Sequence, residues 1–153
     1  MTVKAIPEGH RALEPYLAIK GAADAIEFYK KAFGAIEVFR MGQPDGRVGH
    51  AELRIGDSVL MLADEAPEMD LRGPRSLGGS PVMLHLYVTD VDQVVGRAVA
   101  AGAKVLRSVQ DQFYGDRSGT LTDPYGHVWH VSTHKEDLSM EEIGRRAAAM
   151  HKT

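Results

Sequence analysis

The chain has 153 residues, 44% of them hydrophobic and 25% charged, which is typical of a single soluble globular domain. Its formal net charge of −3 gives no electrostatic reason to expect nucleic acid or an anionic membrane as a partner, and no apolar run approaches the length that spans a bilayer. Cysteine is absent, which excludes disulfides and thiolate sites. The N-terminus also lacks a signal-peptide layout, so we expect a cytoplasmic protein.

The first half of the chain predicts one strand, one helix and three more strands. Residues 14–20 alternate between polar and apolar side chains, as a strand does. A helix is predicted next, because Ala22, Ile26, Tyr29 and Phe33 recur at helical spacing and Gly34 follows as a stop signal. The three further strands are predicted at about 35–41, 47–55 and 58–63, with Asp45-Gly46 and Gly56-Asp57 as turns.

The second half repeats this order. Residues 64–81 are rich in Pro, Gly and charge and are predicted to be a linker. A strand at 82–88 precedes a helical pattern that ends at Gly102, and strands follow at about 103–109, 117–122 and 127–133. Ser139 and Glu142 form a capping-box pattern that predicts a last helix over 139–151.

Two units of this kind predict an α+β fold with two βαβββ modules, at about 13–65 and 82–134, within a single domain. Each sheet would bury one face under its helix and leave the other face in need of a partner. Two such sheets side by side would form a cup-shaped mixed sheet with a ligand cavity between the modules. The alternative is a ferredoxin-like α+β sandwich without a cavity, which the three strands after each helix disfavour.

Four segments carry a resemblance to a known family: AIEFYKKAFGA at 25–35, GRVGHAELRIGDSVLMLADE at 46–65, LHLYVTDVD at 84–92 and DRSGTLTDPYGHVW at 116–129. With them the chain resembles the vicinal oxygen chelate superfamily, which comprises glyoxalases, bleomycin resistance proteins and extradiol dioxygenases. The sequences of these segments are most similar to the PhnB-like branch of the superfamily. The resemblance implies the cup-shaped fold over residues 13 to 134, but it does not select one reaction.

The resemblance also implies metal-ligand positions, which fall here on Glu14, Met61, Met83 and His130. Two of these are thioethers, which are poor ligands for Zn²⁺, Ni²⁺, Fe²⁺ or Mn²⁺. A reduced set of Glu14, His85 and His130 would supply two imidazoles and one carboxylate for one divalent metal. Alternatively, both histidines are neutral imidazoles that form hydrogen bonds in a polar pocket.

Strand alternation predicts further side chains on the cavity face. Glu52 or Tyr87 would carry a proton in an enzyme, although Glu52 could equally form a structural pair with His50. The candidate ligand-binding residues are aromatic, thioether or cationic: Tyr16, Met61, Met83, Phe113, Tyr114 and Arg117. Arg117 could instead anchor its own loop through an Arg–Asp pair.

Two functions remain open from the sequence. The first is a metal-dependent lyase, isomerase or dioxygenase of the glyoxalase type, and the second is a metal-free antibiotic-binding protein of the bleomycin-resistance type. Both imply a small-molecule ligand. The resemblance further implies a homodimer.

Overall fold

The computed structural model describes residues 2–151, which divide into two compact units, the first ending at Ser80 and the second beginning at Pro81. Each unit contains one four-stranded mixed sheet and one long helix against it. The α+β class and the two βαβββ modules are thereby confirmed. None of the helices within this range is long and apolar enough to cross a membrane.

The first unit contains β1 (Tyr16–Ile19), α1 (Ala22–Phe33), β2 (Ile36–Gly42), β3 (Val48–Ile55) and β4 (Ser58–Asp64). The strands lie in the order β1-β4-β3-β2, with β1 parallel to β4 and the other pairs antiparallel. The first strand begins at Tyr16 rather than at residue 14, so Glu14 precedes the sheet instead of belonging to it.

The start of α1 is held by a carboxylate from the last strand of the same sheet. Asp64 accepts hydrogen bonds from the backbone N–H groups of Gly21 and Ala22 at one oxygen and from that of Val48 at the other, at 3.1, 2.9 and 2.7 Å. A helix N-terminus leaves such N–H groups without intrahelical partners and favours negative charge. The helix ends at Gly34, whose φ of 68° is easily adopted only by glycine.

The segment predicted as a linker has structure of its own. It contains a short 3₁₀ helix (Pro67–Met69) and a short helix α2 (Pro74–Leu77). Glu65 stabilises this segment internally, because its carboxylate accepts hydrogen bonds from the Gly73 N–H at 2.8 Å and the Ser76 hydroxyl at 2.6 Å. Gly73 passes so close to β1 that a Cβ there would lie 2.7 Å from the Ala18 carbonyl oxygen, so only glycine fits.

The second unit contains β5 (Met83–Tyr87), α3 (Val91–Ala100), β6 (Lys104–Asp111), β7 (Asp116–Thr122), β8 (Val128–His134) and α4 (Met140–Met150). The strand order is β5-β8-β7-β6, and β5 is parallel to β8. The sheet buries Leu121, Trp129 and Val131 on the face that α3 covers. The alternate residues of these strands therefore point to the opposite face.

The last helix follows its predicted cap in part. The Ser139 hydroxyl accepts a hydrogen bond from the Glu142 N–H at 3.1 Å. The Glu142 carboxylate pairs with Arg145 and Arg146 rather than reaching back to Ser139, and these two guanidinium groups lower its pKa to about 2. Arg146 also donates to the carbonyl of Phe113 and pairs with Glu136, so α4 is fastened to the loop before β7.

Candidate functional site

The candidate site is the polar face of the second sheet, on the side away from α3. The strand register places eight polar side chains there in two rows across the four strands. One row is Tyr87, Ser132, Ser118 and Gln110, and the other is His85, His130, Thr120 and Arg107. A polar sheet face meets either solvent or a ligand, and in a ligand pocket a few polar groups fix the orientation of the bound molecule.

Two histidines lie side by side in the second row. The rings of His85 and His130 meet edge to face with their centroids 4.8 Å apart. His85 Nε2 is hydrogen-bonded to the Ser132 hydroxyl, and His130 Nδ1 to the Thr120 hydroxyl, both at 2.9 Å. Burial lowers the pKa of His130, with smaller effects from the neighbouring His85 and from the Arg107 guanidinium. Its imidazole is therefore neutral near pH 7.

Tyr87 flanks the histidines at the edge of this face. Its ring stacks on His85 with centroids 4.6 Å apart, and its hydroxyl donates to Asp116 at 2.9 Å. The hydrogen bond to the Asp116 carboxylate raises the pKa of Tyr87, and that of His134, which also contacts Asp116 at 2.8 Å, is raised for the same reason. Asp116 is buried, and each of its carboxylate oxygens already has a hydrogen-bond partner, Tyr87 or His134.

A cavity of about 220 Å³ opens beside the second row. Its sheet wall consists of Ser118, Gly119, Thr120 and His130, and its outer wall of Arg107, Gln110, Gln112 and Tyr114. The Ser118 hydroxyl is fully buried and is hydrogen-bonded to no other group within residues 2–151. A buried hydroxyl without a partner costs free energy, so this group has capacity for a ligand.

A bulge in β6 gives the cavity its outer wall. Arg107 lies opposite Thr120 and Gln110 opposite Ser118, so three residue steps on β6 span two steps on β7. Without the extra residue, Gln110 would point to the helix side of the sheet. Gly119 permits the bulge, because a Cβ there would lie 2.8 Å from Val109 Cγ2 and 3.3 Å from the Arg107 carbonyl oxygen.

The first sheet has a polar face as well, but there the side chains bond to one another. His10 Nδ1 lies 2.7 Å from a Glu14 oxygen and its Nε2 lies 3.4 Å from Glu52. Glu52 also contacts His50 Nε2 at 2.9 Å, and His50 Nδ1 contacts the Tyr16 hydroxyl at 2.9 Å. Since a carboxylate only accepts, His50 donates to Glu52 and accepts from Tyr16.

Charge pairing and burial set the titration of this cluster. The hydrogen bond between the His10 ring and the Glu14 carboxylate raises the pKa of His10 and lowers that of Glu14. Burial raises the pKa of Tyr16, with a smaller effect from the charge of Glu52. The cluster thus forms a continuous chain from Glu14 to Tyr16 in which every member has a partner within the unit.

Comparison with known proteins identifies the family. Residues 10–131 match the sequence profile of the Glyoxalase/Bleomycin resistance protein/Dioxygenase superfamily. The chain belongs to this superfamily. An uncharacterized Mycobacterium tuberculosis protein, Rv0887c, is 47% identical over 135 residues, which are 86% of this chain and 79% of that protein.

Two solved structures show the same superfamily fold. The PhnB protein of Bacillus cereus has a TM-score of 0.64 at 18% identity, with 80% of this chain and 99% of that chain covered. TnmS3, an antibiotic-binding protein from Streptomyces sp. CB03234, has a TM-score of 0.60 at 20% identity, with 82% and 100% covered. These similarities show the fold. The assignment to the PhnB-like branch stays a prediction.

The metal-ligand positions implied by the superfamily resemblance are distributed over both units. His85 and His130 are neighbours in the second unit, whereas Glu14 belongs to the first and is bonded to His10 and to the Arg11 N–H. No group of three His, Asp or Glu side chains in the described part of the chain is arranged to hold a metal ion. The metal site stays a prediction from the resemblance.

The predicted ligand-binding residues have different surroundings. Tyr114 lines the cavity of the second unit, and Phe113 packs against it edge to face at 5.1 Å. Met83 is exposed on β5, and Met61 is half-buried opposite Tyr16. Arg117 points to the helix side of β7, where Asp92 and Asp111 hold its guanidinium at 2.8 and 3.2 Å. This is the Arg–Asp pairing that the sequence left as an alternative.

Several residues of these sites were not singled out from the sequence. Among them are His10, Arg107, Ser118 and Thr120. The alternation in SGTLT at 118–122 was a usable signal, because it places small polar side chains on the face opposite Leu121. No signal pointed to His10, which lies in an irregular N-terminal segment, or to Arg107, whose orientation depends on a further bulge in β6 between Val105 and Arg107.

Proposed function

We propose that this protein binds a small organic ligand on the polar face of its second sheet and that side chains, rather than a metal ion, hold that ligand. The observation that carries the proposal is the buried Ser118 hydroxyl in the wall of the cavity, without a partner in residues 2–151. An unmet buried hydroxyl costs about 1–3 kcal/mol. A ligand that supplies its hydrogen bond would recover that free energy on binding.

The size of the cavity indicates how the ligand would lie. Ligand pockets usually measure about 300–1,000 Å³, so a cavity of about 220 Å³ accommodates one group of a larger molecule. The rest would lie over the neighbouring histidine and tyrosine rings. Tyr87 and Met83 are 59% and 58% exposed and offer an aromatic and a thioether surface.

A metal-dependent lyase, isomerase or dioxygenase is the second candidate. One observation favours it, namely the contact between the rings of His85 and His130, which are two of the commonest kind of metal ligand. The hydrogen bonds of both rings to Ser132 and Thr120 occupy one nitrogen of each ring and leave the other open, so they do not distinguish the two candidates. The cup between the modules and the homodimer stay predictions.

A thermal-shift screen distinguishes the two candidates. The probes are glycopeptide antibiotics, glutathione adducts, aromatic carboxylic acids and divalent metal salts, each with and without a chelator. TnmS3 is an antibiotic-binding protein of the same fold, which is the reason for including antibiotics. A ligand that binds the native state raises the melting temperature by mass action. We expect an organic probe to do so equally in the presence of the chelator.

The matched variants are Ser118→Ala in the cavity wall and Ser58→Ala at an exposed position of the first sheet. We expect Ser118→Ala to reduce the ligand-induced shift and Ser58→Ala to leave it unchanged. A shift caused by metal salts alone, abolished in His130→Ala, would contradict the proposal and select the enzyme.

A further inference from the structure

The residues that line the cavity of the second unit include a positively charged side chain but no negatively charged one. The lining contains one cation, Arg107, the His130 imidazole, Gly119 and five neutral residues with N–H or O–H groups on the side chain (Gln110, Gln112, Tyr114, Ser118 and Thr120), but no Asp or Glu. This occurs in a chain with 21 acidic and 18 basic residues. Donors therefore greatly outnumber fixed negative charges in the cavity wall.

Arg107 has no acidic partner among residues 2–151. Its guanidinium forms no ion pair and no hydrogen bond within the described residues, whereas Arg117 on the other face of the same sheet pairs with two carboxylates. The nearest buried acid of this face, Asp116, is already bonded to Tyr87 and His134. The positive charge of Arg107 is therefore available to a ligand.

The backbone of β6 places Arg107 on the same face of the sheet as the Ser118 hydroxyl. Arg107 faces Thr120 because β6 carries one bulge between Val105 and Arg107, and Gln110 faces Ser118 because β6 carries another between Arg107 and Gln110. Both side chains therefore lie on the cavity side. A guanidinium presents N–H groups in a planar fork that matches a carboxylate, and a hydroxyl can donate to the same group. One cation balances one negative charge, which suits a carboxylate better than a doubly charged phosphate.

We infer that the ligand of this site carries a carboxylate, which the Arg107 guanidinium and the Ser118 hydroxyl bind together in the cavity of the second unit. The inference rests on the proposed binding function and adds the chemical class of the bound group. The cavity of about 220 Å³ has room for the carboxylate and a small attached group such as one aromatic ring.

Benzoate and benzamide form a matched pair of probes, because they have nearly the same shape and differ in charge. A backbone-amide NMR titration of the full-length protein locates their binding through the signals of residues 118–120. We expect benzoate to shift these signals and to bind at least ten times more tightly than benzamide. Arg107→Gln should reduce benzoate affinity at least tenfold and leave benzamide affinity unchanged.

The control variant is Arg97→Gln, which removes the same charge from an exposed position on α3, at the opposite face of the sheet. It should bind benzoate like the wild type. If benzamide binds at residues 118–120 as tightly as benzoate, or if Arg107→Gln keeps wild-type benzoate affinity, the carboxylate inference is overturned while ligand binding at this face stands. If neither probe shifts these signals, the inference is overturned as well, and the wider ligand screen decides the binding function separately.

Discussion

Two buried serines on neighbouring strands have opposite hydrogen-bonding states. Ser118 and Ser132 face each other across β7 and β8, and both are fully buried. The Ser132 hydroxyl is bonded to His85, whereas the Ser118 hydroxyl has no partner among residues 2–151. The two side chains are identical and lie at neighbouring positions, but only the Ser132 hydroxyl has a hydrogen-bond partner among residues 2–151.

Replacement of each serine by alanine measures this difference. Ser132→Ala removes a hydrogen bond and leaves His85 Nε2 without its partner, so we expect it to lower the free energy of unfolding by about 1 kcal/mol. Ser118→Ala removes a hydroxyl that is buried at a cost, so we expect no loss of stability and a gain of up to about 1 kcal/mol. Urea denaturation of the ligand-free proteins measures both values. Equal destabilisation by the two variants would show that Ser118 is satisfied in solution.

The bulge in β6 is the element on which the candidate site depends. Gly119→Ala would place a methyl group 2.8 Å from Val109 Cγ2 and 3.3 Å from the Arg107 carbonyl oxygen. Because the second contact is to backbone, the strand must shift to relieve it. We expect the free energy of unfolding to fall by about 1–3 kcal/mol, as in other overpacked sites, measured by urea denaturation.

A second glycine of the same unit provides the control. Gly96 lies on the exposed side of α3, and a Cβ there would meet nothing within 4 Å. Gly96→Ala should therefore raise the free energy of unfolding by about 0.5–1 kcal/mol, because alanine favours a helix interior over glycine. If Gly119→Ala were as well tolerated as Gly96→Ala, β6 would not be held against β7 in the way described.

The strand β6 shows what the sequence could and could not reveal. Alternation, helical spacing and the turn and cap signals were enough to predict the eight strands and the helices α1, α3 and α4 of the described residues. The orientation of Arg107 was not accessible, because an extra residue in β6 between Val105 and Arg107 moves Arg107 to the other face without leaving a turn signal. The role of His10 was not accessible either, because it depends on contacts with Glu52, 42 positions along the chain.

Over the whole molecule, one backbone plan appears twice with different side chains. Tyr16 pairs with Met61 in the first unit as His85 pairs with His130 in the second. Asp64 holds the start of α1 through backbone N–H groups, and Thr133 holds the start of α3 by accepting from the Val91 N–H at 2.9 Å. The side chains on the polar face of the first unit bond to one another, whereas in the second unit the Ser118 hydroxyl and the Arg107 guanidinium have no partner in the described range 2–151. This difference is the reason for assigning the ligand to the second unit.

The closed cluster of the first unit should appear in the pH dependence of global stability. Contact with two carboxylates raises the pKa of His10 above its usual 6.5, so its contribution is complete below pH 6.5 and is lost as the pH rises through the raised value. The pKa of Glu14 is lowered from its usual 4.5, so its contribution is complete above pH 4.5 and is lost as the pH falls through the lowered value. The stability difference between wild type and His10→Gln, measured by urea denaturation across the pH range, should therefore be largest between about pH 4.5 and 6.5. In a Glu14→Gln, Glu52→Gln background the difference should become small and independent of pH, and a pH dependence that survives there would assign it to other groups.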